Sequence, residues 1–204
     1  IFQIKKRMKR ITTFLLCILY TVTMIGQKHM MFRTLPIDGQ LKTAVKEVKK
    51  WGFMGMKIKN IAALMGTLDD EDVMLTLMAT PETHTLFSVI IIYEGTKQWD
   101  EQMPKYQAIN TTLAAQYGEP TEIINEWEPP YSIDNNPTQA MQAEKAKYGS
   151  VYSPPEGKVA INMVYIADKV CTMVAYIDQQ NAALFEAEGG KDMNLNDSDI
   201  EEEL

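Results

Sequence analysis

Two histidines, a cysteine in a strand-like run and four consecutive acidic residues are the parts of this chain that could do chemistry. His29 and His84 stand far apart, and neither has a second ligand at the fixed spacing a zinc site needs. Acid–base work requires a buried, oriented imidazole. His84 follows Pro81 in a turn, and His29 sits where the chain end is expected to fray, so neither is placed for that role. Cys171 lies in Val170-Cys171-Thr172-Met173-Val174 and reads as a small buried residue rather than a nucleophile. Asp69-Asp70-Glu71-Asp72 could offer oxygens to calcium, but it lacks the alternating acids and the glycine of a dedicated loop. It reads as an exposed turn. No Gly-rich phosphate loop, H-E-x-x-H or G-x-S-x-G occurs. Carboxylate pairs for glycoside hydrolysis are defined by their separation in space, so a hydrolase with dispersed carboxylates stays open. The sequence assigns no catalytic, cofactor-binding or metal-ligating residue.

Binding chemistry is better represented. Glu126-Trp127-Glu128-Pro129-Pro130-Tyr131 sets large aromatics beside a stiff proline pair. Trp and Tyr on a preorganised loop are typical anchors for a partner. Trp127, Pro129, Pro130 and Tyr131 are therefore the candidate residues for binding a protein or peptide. The alternative places Trp127 at a strand end, packed inward. Met54, Met56, Met65, Met74 and Met78 could form an adaptable apolar surface, but methionine more often fills gaps in a core, and the core is the expectation.

The first 26 residues read as an address. Lys5, Lys6, Arg7, Lys9 and Arg10 precede an uncharged run from Ile11 to Gly26, and then the composition turns polar. This is the layout of a secretory signal peptide. A permanent span needs about 20 apolar residues, and a run from 11 to 26, broken by four threonines, falls short. Met8 with Lys9 and Arg10 is the expected translation start. Cys17 neither ends the apolar run nor follows a small residue, so no lipid anchor is expected. The protein should be exported, to the periplasm or beyond. Without the five leader cations, the 20 basic residues fall to 15 against 27 acidic ones, a net charge of −12. Such a surface repels nucleic acid. The stretch 189–204 is acidic with little to bury, and it is expected to be disordered. One domain, 27–188, remains. With a single cysteine it cannot form an internal disulfide, so packing must hold it together.

Periodicity then supplies the elements that position these residues. Leu41, Ala44, Val45 and Val48 form the stripe of a helix opened by Asp38 and closed by Gly52. Strands are expected at 61–68, 73–78 and 85–93, joined by short polar turns that imply antiparallel hairpins. A longer helix spans about 97–117, with Pro104 expected to kink it or to split off its first turn. A short strand at 123–127, a proline-rich loop and a short helix from Pro137 follow. Strands at 148–153, 159–166 and 170–177 and a helix capped by Asp178 end the domain. The strand at 170–177 has two apolar sides and should be central. The fold class is α+β. An antiparallel sheet would be built from two halves, each a helix plus three strands, with the helices mainly on one face.

Pro36-Ile37-Asp38-Gly39, the helix ending in Trp51-Gly52-Phe53, and Tyr117-Gly118-Glu119-Pro120 resemble an uncharacterised family of small exported proteins of Bacteroidales-type bacteria. The resemblance covers most of 32–187 and implies export but no activity. In layout, the tandem halves are also similar to small secreted inhibitors of proteases and lactamases, a likeness of fold alone. The expectation is a non-enzymatic, exported protein- or peptide-binding domain. An envelope hydrolase or an accessory subunit of an envelope complex is the alternative.

Overall fold

The structure is a computed structural model that describes residues 28–190. The leader and residues 191–204 of the acidic tail, with the expectations attached to them, lie outside the described residues, while Gly189 and Gly190 bond back to Glu186 O and Phe185 O at the end of the last helix. The fold is α+β. Strands β1 (Met31–Phe32) and β2 (Leu35–Pro36) form a small hairpin. Helix α1 (Leu41–Lys50) is followed by β3 (Met54–Ile58), β4 (Ile61–Leu68), β5 (Glu71–Ala79) and β6 (Leu86–Tyr93). Helix α2 (Trp99–Tyr117) leads to β7 (Glu122–Trp127), α3 (Pro137–Gln142), β8 (Ala146–Tyr152), β9 (Gly157–Ile166), β10 (Lys169–Asp178) and α4 (Gln179–Ala187). The large sheet is antiparallel throughout, in the order β3-β4-β5-β6-β10-β9-β8-β7.

Two-residue turns set the registers. Asp69 and Asp70 (φ 51° and 67°) join β4 to β5, and Ala167 and Asp168 (φ 49° and 60°) join β9 to β10. Both are left-handed pairs that match the twist of a hairpin. Four strands follow α1 where three were expected. The addition is β3, every residue of which is exposed. With nothing buried it pairs through its backbone, and its apolar alternation (Met54, Met56, Ile58) is short and broken by Gly55, a residue type depleted in strands.

The sheet has one thickly covered face. α1 buries Leu41, Ala44 and Val48 there, while its lysines face outward. Its N-cap is Gln40, without a side-chain cap bond, instead of the expected Asp38. Asp38 accepts from Asn181 Nδ2 at 3.2 Å instead. α2 buries Trp99, Gln102, Tyr106 and Leu113 on the same side, and it runs unbroken through Pro104. Pro104 lies near the helix start, where the missing donor costs only its bond to Asp100. Strand β10 sits between β6 and β9. Its Val170, Thr172 and Val174 turn to the main core, and Cys171, Met173 and Ala175 turn to the other face. On that other face α4 covers one end, where Phe185 stacks on Phe87 with centroids 4.4 Å apart.

Candidate functional site

The aromatic–proline segment does not form one patch. Trp127 ends β7 half-buried, edge-on to Trp99 at 5.5 Å, and its indole N–H donates to Asn125 Oδ1 at 2.6 Å. Trp99 in turn meets Tyr148 at 5.1 Å, and Tyr148 meets Tyr106 at 5.2 Å. Trp127 is thus the outer member of a core aromatic chain. Pro129 and Pro130 are exposed and joined by a cis peptide bond. The loop closes on itself: Tyr131 N–H donates to Glu128 O at 3.0 Å, and Asn135 Nδ2 donates to Pro130 O at 2.8 Å. Tyr131 is half-buried. The structure therefore separates the tryptophan from the exposed prolines.

The methionines gather where the sequence did not place them. Strand register aligns Met54, Met65, Met74, Ile92 and Met173 across five neighbouring strands on the face opposite α1 and α2. A second row runs Met56, Ala63, Thr76, Ile90, Ala175, and a third starts Ile58, Ile61, Met78. The two full rows contain no ionisable side chain. Toward β10 the face is tight, with Ile90, Met173 and Ala175 buried against Met78, Ile92 and Val164. Toward β3 it is open: Met54 is 77% exposed, Met65 70%, Met56 65% and Ile58 63%. With Ile61, these expose on the order of 600 Å² of apolar surface, as much as the largest patch of a typical monomer. The signal was available as methionine on one strand face, Met54 and Met56 in β3, Met65 in β4 and Met74 and Met78 in β5, but β4 and β5 are apolar on both faces, so the pattern alone cannot say which face lacks a cover.

At one end of this face lies a groove of about 580 Å³, walled by Met65, Met74, Ile92, Ile166 and Cys171. Lys169 and Glu94 form an ion pair at its rim, 3.0 Å apart. The Lys169 hydrogen bond and charge hold the Glu94 carboxyl below its ordinary range. Burial pushes the Cys171 thiol up, with Lys169 opposing and Glu94 adding to the effect. A thiol held protonated is a packing group here and a poor nucleophile. Gly95 permits the close fit, since a Cβ there would lie 2.5 Å from both Cys171 Sγ and Val170 O.

The remaining chemistry-bearing residues are each tied to a local partner. His29 Nδ1 is 3.1 Å from Asp178 Oδ2, so the chain is anchored at the position expected to fray. His84 (φ 55°) bonds Asn60 Oδ1 at 2.6 Å in the β5–β6 turn. The acidic turn disperses: Asp69 pairs with Arg33, Glu71 with Lys105, and Asp72 accepts from Thr67. Among the described residues no three His, Cys, Asp or Glu side chains are grouped to hold a metal ion, and no helix is long and apolar enough to cross a membrane. Comparison with known proteins finds no matching family model, no similar curated protein and no similar solved structure.

Proposed function

We propose that this chain is an exported, non-enzymatic binding domain and that the open methionine face of the sheet is its binding surface. One observation carries the reading: five exposed Met and Ile side chains on β3 and β4 form a continuous, charge-free surface on an otherwise acidic protein. Methionine suits such a surface because its unbranched, polarisable side chain adapts to different apolar shapes. The partner presents an apolar segment. The aromatic–proline loop is secondary, since Trp127 is engaged with Trp99. The strand order is mirrored about the β6–β10 pair, which supports two tandem halves, each a helix followed by its own set of strands. Such a layout joins the halves into one broad platform.

The test is capture of partners from the native envelope on immobilised wild type, Met65→Lys and Trp127→Ala. A partner held by wild type and Trp127→Ala but released by Met65→Lys supports the reading. Loss with Trp127→Ala alone would move binding to the loop, and no specific partner on any of the three would sink it.

A further inference from the structure

The two edges of the large sheet are unlike. Strand β7 closes one edge with Glu122 and Glu126 on one side, a device that discourages strand addition by like-charge repulsion. Strand β3 closes the other edge with Met-Gly-Met-Lys-Ile, exposed at every position. Its backbone polarity can be read from the register. The two-residue Lys59-Asn60 turn makes Ile58 and Ile61 a hydrogen-bonded pair. By alternation, Met54, Met56 and Ile58 bond inward to β4, while Gly55 and Lys57 turn their N–H and C=O groups outward. Gly55 agrees with this independently. Its Cβ site points straight at β4, 2.1 Å from Ala63 O, so its peptide groups face away from β4.

We propose that β3 is the interface of a two-fold dimer, pairing antiparallel with β3 of a second copy about an axis through Met56. In this register Gly55 meets the second copy's Lys57, and Lys57 meets its Gly55. Both are outward-facing, so each pair exchanges two backbone bonds, four in all. The side chains also fit themselves. Met56 packs on Met56, and Met54 lies opposite Ile58. Each lysine lies beside a residue with no side chain, which removes the like-charge clash of directly opposed lysines. A two-fold contact requires such a self-complementary patch. The rest of the surface is net acidic and repels its own kind, so contact between two copies is favoured at this edge, which carries no acidic residue. Pairing would also join the two methionine faces: the row that ends at Met54 continues into Ile58, Ile61 and Met78 of the second copy. The inference stands on the β3 edge and does not require that the methionine face bind a partner.

Sedimentation over a concentration series should show the mass doubling. Met56→Cys should form an intermolecular disulfide, since residues facing each other at a non-bonded antiparallel position have Cα atoms within disulfide range. Met54→Cys should not, because it faces Ile58. Lys57→Pro removes an outward donor while leaving every bond to β4, so it should fold as wild type and sediment as a monomer. A wild-type monomer up to about 0.1 mM overturns the proposal, as 0.1 mM would half-populate even a weak pairing. So does a dimer that survives Lys57→Pro, or one in which Met56→Cys does not cross-link. Partner capture by Met65→Lys reads the other face separately, so failure of one reading leaves the other testable.

Discussion

The Asp178 carboxylate accepts the Met30 backbone N–H at 2.7 Å, joining residues 148 positions apart. Its other oxygen accepts from the N–H groups of Gln180 and Asn181, at 3.0 and 2.9 Å, and so caps α4. One fully buried carboxylate thus ties the start of the domain to its last strand and last helix. Asp178→Ala leaves these donors without an acceptor, and the loss should be roughly 3 kcal/mol. Asp178→Asn keeps an acceptor for the cap but turns its NH2 toward the Met30 N–H, so it should cost less than Ala, about 2 kcal/mol. Urea midpoints at unchanged slope measure both. Equal losses would show that the bond to Met30, and not the cap, holds the junction.

That junction marks the limit of what the sequence can say. Asp178 was legible as a cap because a cap is a local relation, one residue to the next turn. Its bond to Met30 was not, because nothing local distinguishes a carboxylate that also reaches a backbone N–H so far away in sequence. The same line divides the rest. β10 was legible as central because two apolar sides demand two covers. α1 carried its helical period plainly, and β6 was legible as a run of β-branched residues. β3 alternates only over five residues and buries nothing, so its pattern did not stand out. The aromatic–proline segment offered the right residue types, but the direction of Trp127 depends on Trp99, 28 positions earlier and on another element. The methionine face could be named as a surface but not told from core, for a simpler reason. Exposure depends on which helices fail to arrive, and α1 and α2 both settle on the other side.

Alkaline stability should reflect the buried tyrosines. Burial is the main cause that raises Tyr106 to about 12, with Ser150 opposing through its hydrogen bond. Tyr93 is likewise raised to about 12 by burial, then by Glu71 and Asp69. A raised folded value means the neutral hydroxyl is favoured in the native state. The contribution is whole below pH 10, the ordinary tyrosine value, and it is lost as pH rises through about 12. Tyr106→Phe should therefore flatten the fall of unfolding free energy above pH 10 by up to about 1.4 kcal/mol per pH unit. An unchanged slope would mean that Tyr106 ionises in place.

Trp127 should behave as a packing residue. Trp127→Ala removes its edge-on contact with Trp99 and its bond to Asn125, and about 2 kcal/mol should go with them. Tyr131→Ala, on a loop held by its own backbone bonds, should cost well under 1 kcal/mol. Thermal unfolding of the two variants compares them directly. A larger loss at Tyr131 would place the anchor of this region in the loop rather than in the aromatic chain.

Gly55 joins folding to assembly most directly. A Cβ there would meet Ala63 O at 2.1 Å and Leu64 Cα at 2.7 Å, both backbone atoms that cannot step aside. Gly55→Ala must therefore lift β3 off β4. The strand buries no side chain, so the core keeps its packing and the global cost should be only about 1–2 kcal/mol. The local effect should be far larger. Amide exchange at Ala63 and Met65 should accelerate while β9 and β10 stay protected, since local opening follows the least buried element. Removing an ordered β3 also removes the edge, so the same variant should sediment as a monomer at concentrations where wild type has doubled its mass. If exchange rises in β4 and the dimer persists, the two copies meet elsewhere. If neither changes, β3 tolerates a side chain at 55 and its close approach to β4 is not what fixes the edge.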